Sequence, residues 1–159
     1  MKKTAVVYWS GTGNTEAMAD AVLTGMKDAG ADAVLYTAAE FSPSKLSELD
    51  AVAFGCPAMG AEMLEESEFE PMFNDCKGSL GGKKVALFGS YGWGEGDWMR
   101  SWEDDCSASG IKLCCESVIC NEAPDAQGLA ACRLLGKLLD ILGNNRKSSS
   151  RLSGSCCLY

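Results

Sequence analysis

Histidine is absent from the 159-residue sequence, and its absence removes several kinds of functional site at once. Without an imidazole, the chain has neither a Ser-His nucleophile pair nor a mixed cysteine–histidine zinc site. Nine cysteines are present, but no two of them have the C-x-x-C spacing. Because most of the cysteines lie in apolar patterns, we expect reduced thiols in a protein core, within a reducing compartment.

Long apolar runs are also absent. No stretch approaches the ~20 apolar residues that a membrane span requires. The apolar run behind Lys2 and Lys3 is too short for the core of a signal peptide. The length is typical of one domain with a single core. We therefore expect a cytoplasmic protein with one folded unit.

Positive charge is scarce. The formal net charge is −8, from 22 acidic and 14 basic residues. Three of the basic residues (Arg146, Lys147 and Arg151) follow Gly143, where no acid occurs, so residues 1–143 carry a net charge of −11. Such a surface disfavours nucleic acid and anionic membranes and favours a basic partner. A need for solubility alone would also account for the negative net charge.

The body of the chain alternates between two apolar patterns. Five runs have the length and composition of buried strands: 4–9, 32–37, 50–56, 83–90 and 111–120. Helical spacing or helix-cap signals occur between and after them, at 14–30, 42–49, within 57–80, near 97–109 and at 124–142. Repeated strand–helix units predict an α/β fold with a doubly wound, five-stranded parallel sheet and helices on both faces.

The last segment breaks this pattern. Residues 143–159 are rich in serine, basic and without periodicity. We expect a folded domain over residues 1–142 and a disordered tail over 143–159.

The sequence S-G-T-G-N-T at residues 10–15 joins the first predicted strand to the first helix. It lacks the third glycine of a dinucleotide fingerprint and the lysine of a Walker loop. Hydroxyl groups, backbone N–H groups and a helix N-terminus together favour a terminal phosphate monoester. An ordinary glycine turn with a helix cap is the alternative.

Four motifs together resemble the short-chain flavodoxins, particularly those of anaerobic bacteria: YWSGTGNTE, GCPAMGAEMLEESEFEP, KKVALFGSYGWGEGDWMR and CNEAPD. The resemblance extends from about residue 3 to residue 142. It implies the strand order 2-1-3-4-5 and a non-covalently bound flavin mononucleotide (FMN). It further implies a monomeric, low-potential one-electron carrier that uses semiquinone and hydroquinone states. Its partners would be basic redox proteins of the ferredoxin- and flavodoxin-dependent oxidoreductase type, and it would need no catalytic residue and no metal.

The resemblance also assigns roles to residues of the three glycine-containing loops. The phosphate would be held by Ser10, Thr12, Gly13, Asn14 and Thr15. Met59 and Trp93 would pack on the two faces of the isoalloxazine ring, Glu62 would accept a hydrogen bond from the flavin N3–H, and the Gly60 carbonyl would accept one from N5–H of the semiquinone. Ser90 would lie near the phosphate or the ribityl chain and Asn121 near the flavin edge. The remaining expected contacts are Ala58, Tyr91, Gly92 and Gly94.

Elementary chemistry agrees with these roles. An aromatic ring and a thioether both suit a flat π system. Anionic reduced flavin is disfavoured beside an uncompensated phosphate and a set of acids, which predicts a strong reductant. The acids of this set are Glu62, Glu65, Glu66, Glu68, Glu70, Glu95 and Asp97.

Two residues depart from the family pattern. Pro57 stands where the resembled flavodoxins often have serine, which removes one phosphate donor. Ala61 follows the glycine whose peptide is expected to turn over, and we expect it to reduce semiquinone stabilisation because alanine resists positive φ.

Three other functions use the same fold. An NAD(P)H-dependent FMN or quinone reductase would need a second pocket, for which no extra segment is present. A receiver domain would need acids after the first strand, and Tyr8 to Gly13 contain none. A flavin-storage protein without electron transfer stays open at this level.

Overall fold

A computed structural model describes residues 2–60 and 62–144, with side chains as far as Asp140. Five strands alternate with four α-helices in the order β1 (Lys3–Tyr8), α1 (Asn14–Asp28), β2 (Asp32–Thr37), β3 (Ala51–Gly55), α2 (Phe69–Cys76), β4 (Lys84–Tyr91), α3 (Asp97–Ala108), β5 (Val118–Asn121) and α4 (Ala126–Asn144). Three short 3₁₀ helices span Ala38–Glu40, Pro43–Glu48 and Lys77–Ser79.

The strands form one parallel sheet in the order β2-β1-β3-β4-β5. The predicted fold class and strand order are both confirmed. Since all strands run in the same direction, the loops that follow β1, β3 and β4 meet at one edge of the sheet.

Both faces of the sheet are covered. Along β1, Val7 faces the core that contains α2 and α3, and Val6 faces the core that contains α1 and α4. This alternation explains why β1 and β3 read as continuous apolar runs. The α2–α3 side contains an aromatic cluster, in which Trp102 packs edge-on against Phe69 and Phe73 at 5.4 and 5.6 Å between ring centroids.

The fifth strand is shorter than the predicted run 111–120. Pairing with β4 is continuous only from Val118 to Asn121, and Leu113 forms an isolated bridge with Val85. Ser117, in the interruption, donates a hydrogen bond from its hydroxyl to Glu103 of α3 at 2.7 Å. An edge strand can leave the ladder in this way because only one neighbour loses its partners.

Two helical segments also differ in detail from the sequence prediction. The short helix expected over 42–49 is a 3₁₀ helix, Pro43–Glu48. The helical part of 57–80 is confined to α2 and the 3₁₀ helix after it. The expected glycine stop after α1 is confirmed, because Gly30 has φ 92° two residues beyond the last helical residue.

At the other end of the chain, α4 continues to Asn144, two residues past the boundary expected at 142. The rest of the predicted tail, 145–159, lies outside the described residues. In the described ranges, no helix is both long and apolar enough to cross a lipid bilayer. The seven cysteines described there are free thiols, and five of them are buried.

Glu65 organises the start of α2, directly after the second loop of the sheet edge. Its buried carboxylate accepts hydrogen bonds from the backbone N–H groups of Ser67, Glu68 and Phe69 at 2.8–2.9 Å, and from the Ser67 hydroxyl. Burial by itself would raise the pKa of Glu65, but these hydrogen bonds outweigh burial and lower the pKa to about 2. The carboxylate therefore satisfies the first backbone donor of α2, which the helix itself leaves without a partner, and the two donors that precede it.

We expect Glu65→Ala to lower the free energy of unfolding by about 2–3 kcal/mol at pH 7. The pKa of Glu65 is lower in the folded protein than its ordinary value of 4.5. The ionised Glu65 carboxylate therefore contributes fully to the free energy of unfolding above pH 4.5, and this contribution is lost as the pH falls towards 2. Urea unfolding followed by tryptophan fluorescence at pH 7 and pH 3 should show the difference between variant and wild type becoming smaller at pH 3.

Glu66→Ala is the matched control, because Glu66 is an exposed neighbour. It should change the free energy of unfolding little at either pH. A deficit of Glu65→Ala that is as large at pH 3 as at pH 7 would contradict the role of the ionised carboxylate.

Candidate functional site

The loop after β1 makes the turn into α1 with its own hydroxyl groups. Gly13 has φ 95°, a conformation that glycine adopts without strain, and α1 begins at the next residue. The Ser10 hydroxyl accepts a hydrogen bond from the Gly13 N–H at 3.0 Å, and Thr12 Oγ1 lies 3.5 Å from the Asn14 nitrogen. The hydroxyl groups of Ser10 and Thr12 therefore lie beside the first backbone donors of α1.

Ser90, at the end of β4, connects this loop to the other two. Its hydroxyl is hydrogen-bonded to that of Thr15 at 2.8 Å, and both side chains are buried. Its carbonyl accepts a hydrogen bond from the Ala58 N–H at 2.9 Å. Both contacts link segments that are far apart in the chain.

The loop after β3 turns back sharply on itself. The Met59 N–H donates to the Met63 carbonyl at 2.9 Å, and the Glu62 N–H donates to the Met59 carbonyl at 2.7 Å. Glu62 has φ 52°, an uncommon backbone conformation for a residue other than glycine. Ala61, at which the sequence departs from the family pattern, lies outside the described residues.

The Glu62 side chain is held beneath the third loop. Its Oε1 atom is buried and has no hydrogen-bond partner among the described residues. Gly94, with φ 85°, passes so close that a Cβ atom there would lie 2.5 Å from this oxygen. A buried carboxylate oxygen without a donor costs free energy, so this atom is suited to receive a hydrogen bond from a ligand.

The third loop, after β4, carries the most exposed aromatic side chain of the site. Trp93 is 64% exposed and lies between two glycines. Tyr91 is better supported: its ring packs against Trp98 at 5.4 Å, and its carbonyl accepts a hydrogen bond from the Glu122 N–H at 2.6 Å.

Two cavities lie where the loops meet. One, of about 330 Å³, is lined by Trp9, Gly11, Thr12, Asn14, Pro57, Ala58, Met59, Ser90, Tyr91, Gly92 and Glu122. The other, of about 340 Å³, is lined by Tyr8, Trp9, Ser10, Gly11, Gly13, Glu16, Thr37, Ala38, Ala39 and Glu68. A larger cavity of about 460 Å³ lies between α3 and α4, and neither the hydroxyl groups of residues 10–15 nor that of Ser90 line it. Convergent polar groups therefore favour the two smaller cavities as the functional site.

The structure brings most of the predicted residues to this region. Nine of them line the two cavities: Ser10, Thr12, Gly13, Asn14, Ala58, Met59, Ser90, Tyr91 and Gly92. Thr15 is buried and contacts the site through Ser90. Neither cavity is lined by Gly60, Glu62, Trp93, Gly94 or Asn121. Glu62 instead lines a cavity of about 390 Å³ beside α2 and α3.

Trp9 and Glu122 are among the cavity residues that were not predicted to bind the cofactor. Trp9 lines both cavities, and its indole N–H donates to Glu68 at 3.0 Å. Its position directly before the glycine loop was the only signal for it. Glu122 lines the first cavity and has φ 57°. A glutamate in the sequence does not predict that backbone conformation.

The acids expected around the flavin do not form one uniform group. The Glu65 carboxylate accepts hydrogen bonds from the backbone N–H groups at the start of α2. Asp97 forms an ion pair with Arg100, and its pKa is lowered mainly by the hydrogen bond and the charge of that guanidinium. Glu66 and Glu95 are exposed to solvent.

Comparisons with known proteins agree with this geometry. The flavodoxin family profile matches residues 6–136. The chain belongs to the flavodoxin family. It is 44% identical to the flavodoxin of Megasphaera elsdenii over 132 residues, which cover 83% of this chain and 94% of the relative. It is also 44% identical to the flavodoxin of Clostridium beijerinckii over 120 residues, 76% of this chain and 87% of the relative.

The solution structure of two-electron reduced M. elsdenii flavodoxin superposes with a TM-score of 0.78 and covers 86% of this chain and 97% of that one. Flavodoxins bind FMN and are electron-transfer proteins rather than enzymes. The residues of this flavodoxin suit FMN, because the site offers hydroxyl and backbone donors for a phosphate, an exposed tryptophan for a ring and an unpartnered carboxylate oxygen for a ring N–H.

We expect Gly94→Ala to weaken FMN binding about tenfold to a hundredfold, because the new methyl group displaces the Glu62 carboxylate and removes a charge-assisted hydrogen bond. The positive φ at this position adds about 1 kcal/mol of backbone strain. Titration of the apoprotein with FMN, followed by quenching of flavin fluorescence, measures the affinity.

Gly82→Ala is the matched control. Gly82 has φ 84° and nothing within 4 Å of an added Cβ atom, so it carries the strain without the contact. It should lose similar stability and keep its FMN affinity. Equal FMN affinities of the two variants would argue against the role of Glu62.

Proposed function

We propose that this flavodoxin holds FMN non-covalently across the loops after β1, β3 and β4 and works as a low-potential one-electron carrier between redox proteins. The observation that carries the proposal is the buried, unpartnered Oε1 atom of Glu62 beneath the third loop, which suits the flavin N3–H. FMN, when bound, supplies one-electron chemistry, and the protein supplies binding, orientation and electrostatics.

The hydroxyl groups near the first loop keep hydrogen atoms that can be donated to the FMN phosphate. The Ser10 oxygen accepts from Gly13, so the Ser10 hydroxyl hydrogen is left to donate. The Thr15–Ser90 pair has two hydroxyl hydrogens and uses one in the bond between them. The backbone N–H groups at the start of α1, beside Thr12 and Asn14, complete a nest of donors.

No lysine or arginine occurs in residues 10–15. The phosphate is thus stabilised by dipoles, and its negative charge is not cancelled. We place the isoalloxazine ring between Met59 and Trp93, with the Gly60 carbonyl towards N5 and Asn121 near the edge. A further negative charge on that ring would meet both the phosphate and Glu62, which disfavours full reduction and supports a low potential.

The proposed docking surface consists of Met63, Glu66, Trp93 and Glu95. Met63 and Trp93 are 42% and 64% exposed, and both acids are exposed. An apolar centre with acids around it suits a basic oxidoreductase that also accepts ferredoxin or flavodoxin. We propose that the carrier acts as a monomer, in the cytoplasm, where the free thiols of the described residues remain reduced.

The phosphate site is tested with FMN and riboflavin, which differ only in the phosphate. The wild-type apoprotein should bind FMN more tightly than riboflavin. Ser10→Ala should weaken FMN binding about tenfold or more and leave riboflavin binding nearly unchanged, because one hydrogen bond to a charged group is lost. Fluorescence quenching measures both affinities.

Ser79→Ala, an exposed serine in the 3₁₀ helix after α2, is the control and should affect neither ligand. Equal wild-type affinities for FMN and riboflavin would contradict a phosphate site in the first loop.

The electron-carrier role is tested with the FMN-bound protein under anaerobic conditions. We expect the dithionite-reduced protein to pass electrons to a ferredoxin-dependent oxidoreductase at a rate that falls as salt screens the acidic surface. NADH alone should not bleach the flavin absorbance. Rapid bleaching by NADH would favour a reductase, and reduced protein that cannot supply the oxidoreductase would favour flavin storage.

A further inference from the structure

Two cysteines are neighbours in the sequence at the interruption of the fifth strand. The sulfur atoms of Cys114 and Cys115 lie 3.7 Å apart. In a regular strand, successive side chains point to opposite faces of the sheet, so the thiols of adjacent residues do not meet. Because the chain leaves the ladder between the bridge at Leu113 and the pairing that resumes at Val118, these two thiols can converge.

The backbone on both sides of the cysteine pair is attached to neighbouring elements. Leu113 forms its bridge with Val85 of β4, and the Cys114 N–H donates to the Val85 carbonyl at 2.9 Å. After the pair, the Ser117 hydroxyl donates to Glu103 of α3 at 2.7 Å, and the next residue pairs with β4 again. Both ends of the segment are therefore anchored, so the fold keeps the two cysteines in this local conformation.

The pair is more accessible to solvent than the other thiols of the described residues. Cys114 and Cys115 are half-buried. The others are at most 8% exposed: Cys56, Cys76, Cys106, Cys120 and Cys132. In the part of the chain that the structure describes, a reagent in solution therefore meets two thiols side by side at this place.

The chemistry of the two sulfur atoms suits one soft atom bound between them. The hydrogen bond with Cys115 lowers the pKa of the Cys114 thiol in spite of its burial, and the charge of Lys84 acts in the same direction. The thiolate is the form of cysteine that bonds to soft atoms. With bonds of about 2.3 Å, as zinc makes to thiolate, a tetrahedral angle separates two sulfur atoms by about 3.8 Å and a linear arrangement by about 4.6 Å. The observed 3.7 Å therefore favours an atom with bent bonds.

The cavity of about 460 Å³ between α3 and α4 lies next to this pair. Cys115 lines it, together with the apolar side chains of Met99, Leu134, Leu135 and Leu138. An apolar wall beside a thiol can receive an organic group that is attached to the soft atom. Neither cysteine of the pair lines the two cavities at the loop edge of the sheet, so this place is separate from the proposed flavin site.

We propose that Cys114 and Cys115 form a binding site for a thiophilic atom that carries one organic group, represented by a monosubstituted trivalent arsenical. Such an arsenic atom makes one bond to its organic group and two to sulfur. The two As–S bonds form as the bonds between arsenic and oxygen break, and the oxygen leaves as water with both thiol hydrogens. Arsenic stays trivalent, so the reaction needs no oxidant. The organic group then occupies the cavity between α3 and α4.

The test uses phenylarsine oxide and the protein as purified. The full chain contains a second adjacent pair, Cys156 and Cys157, outside the described residues. Both are therefore replaced by serine in the background of the test. Intact mass spectrometry should show one phenylarsenic group per chain. The adduct should survive an excess of 2-mercaptoethanol and be removed by dithiothreitol, because two linked bonds are broken together only by a competing dithiol. An unmodified chain, or an adduct that 2-mercaptoethanol removes, would overturn the proposal.

Single substitutions in this background identify the thiols. Cys114→Ser and Cys115→Ser should each lower the affinity for phenylarsine oxide at least about a hundredfold, because the second bond is lost. Cys120→Ser is the matched control, since it removes a buried thiol from the same strand, and should keep the affinity. Far-UV circular dichroism checks that each variant is folded. Tight binding that persists in both Cys114→Ser and Cys115→Ser, or that is lost in folded Cys120→Ser, would overturn the assignment.

X-ray absorption at the arsenic edge gives a direct measurement of the bound state. The adduct should show two sulfur neighbours for each arsenic atom, and a single sulfur neighbour would contradict the site. The result does not depend on FMN. Protein that fails to bind FMN but holds the arsenical between two sulfur atoms overturns the proposed function alone, and the reverse result overturns this inference alone.

Discussion

The double attachment of Ser90 holds the candidate site together. Its carbonyl receives the Ala58 N–H of the second loop and its hydroxyl is bonded to Thr15 of the first helix, while its own strand continues into the third loop. Loops on a sheet edge are otherwise independent segments with high conformational entropy. The contact between Thr15 and Ser90 is buried, so its loss would leave a buried hydroxyl group without a hydrogen-bond partner, which costs free energy. The relative positions of the three loops depend on these two contacts.

The electrostatics of the site rest on what the first loop lacks. A phosphate held only by hydroxyl groups, backbone N–H groups and a helix terminus keeps most of its negative charge. The acids nearby are then sorted by their neighbours: Glu65 is committed to the cap of α2, Asp97 to Arg100, and Glu62 alone has a buried oxygen with no partner. Among these acids, Glu62 therefore keeps one carboxylate oxygen that is free to accept a hydrogen bond.

Much of the fold follows from local patterns. Strand-length apolar runs between amphipathic helices predict the parallel sheet, and four short motifs identify the family. The site loops follow from the same topology, since strands of one direction deliver their carboxyl ends to one edge. Other features depend on neighbours that are distant in the chain. The interruption of the fifth strand reflects the contact of Ser117 with Glu103 of α3, and no local pattern reports it. Glu122 adopts a positive φ where its N–H donates a hydrogen bond to the Tyr91 carbonyl. A glutamate in the sequence does not indicate that conformation.

By itself, the sequence determined the class of fold, the family, the cofactor that its members bind and the absence of any imidazole chemistry. These properties are carried by periodicity and by short motifs, which act within one turn or one strand. Only the tertiary structure decided which acid caps a helix, which acid pairs with Arg100 and which keeps an unpartnered oxygen under Gly94. The physical reason is that a carboxylate takes its role from the donors and charges around it, and those come from loops brought together only when the sheet has formed.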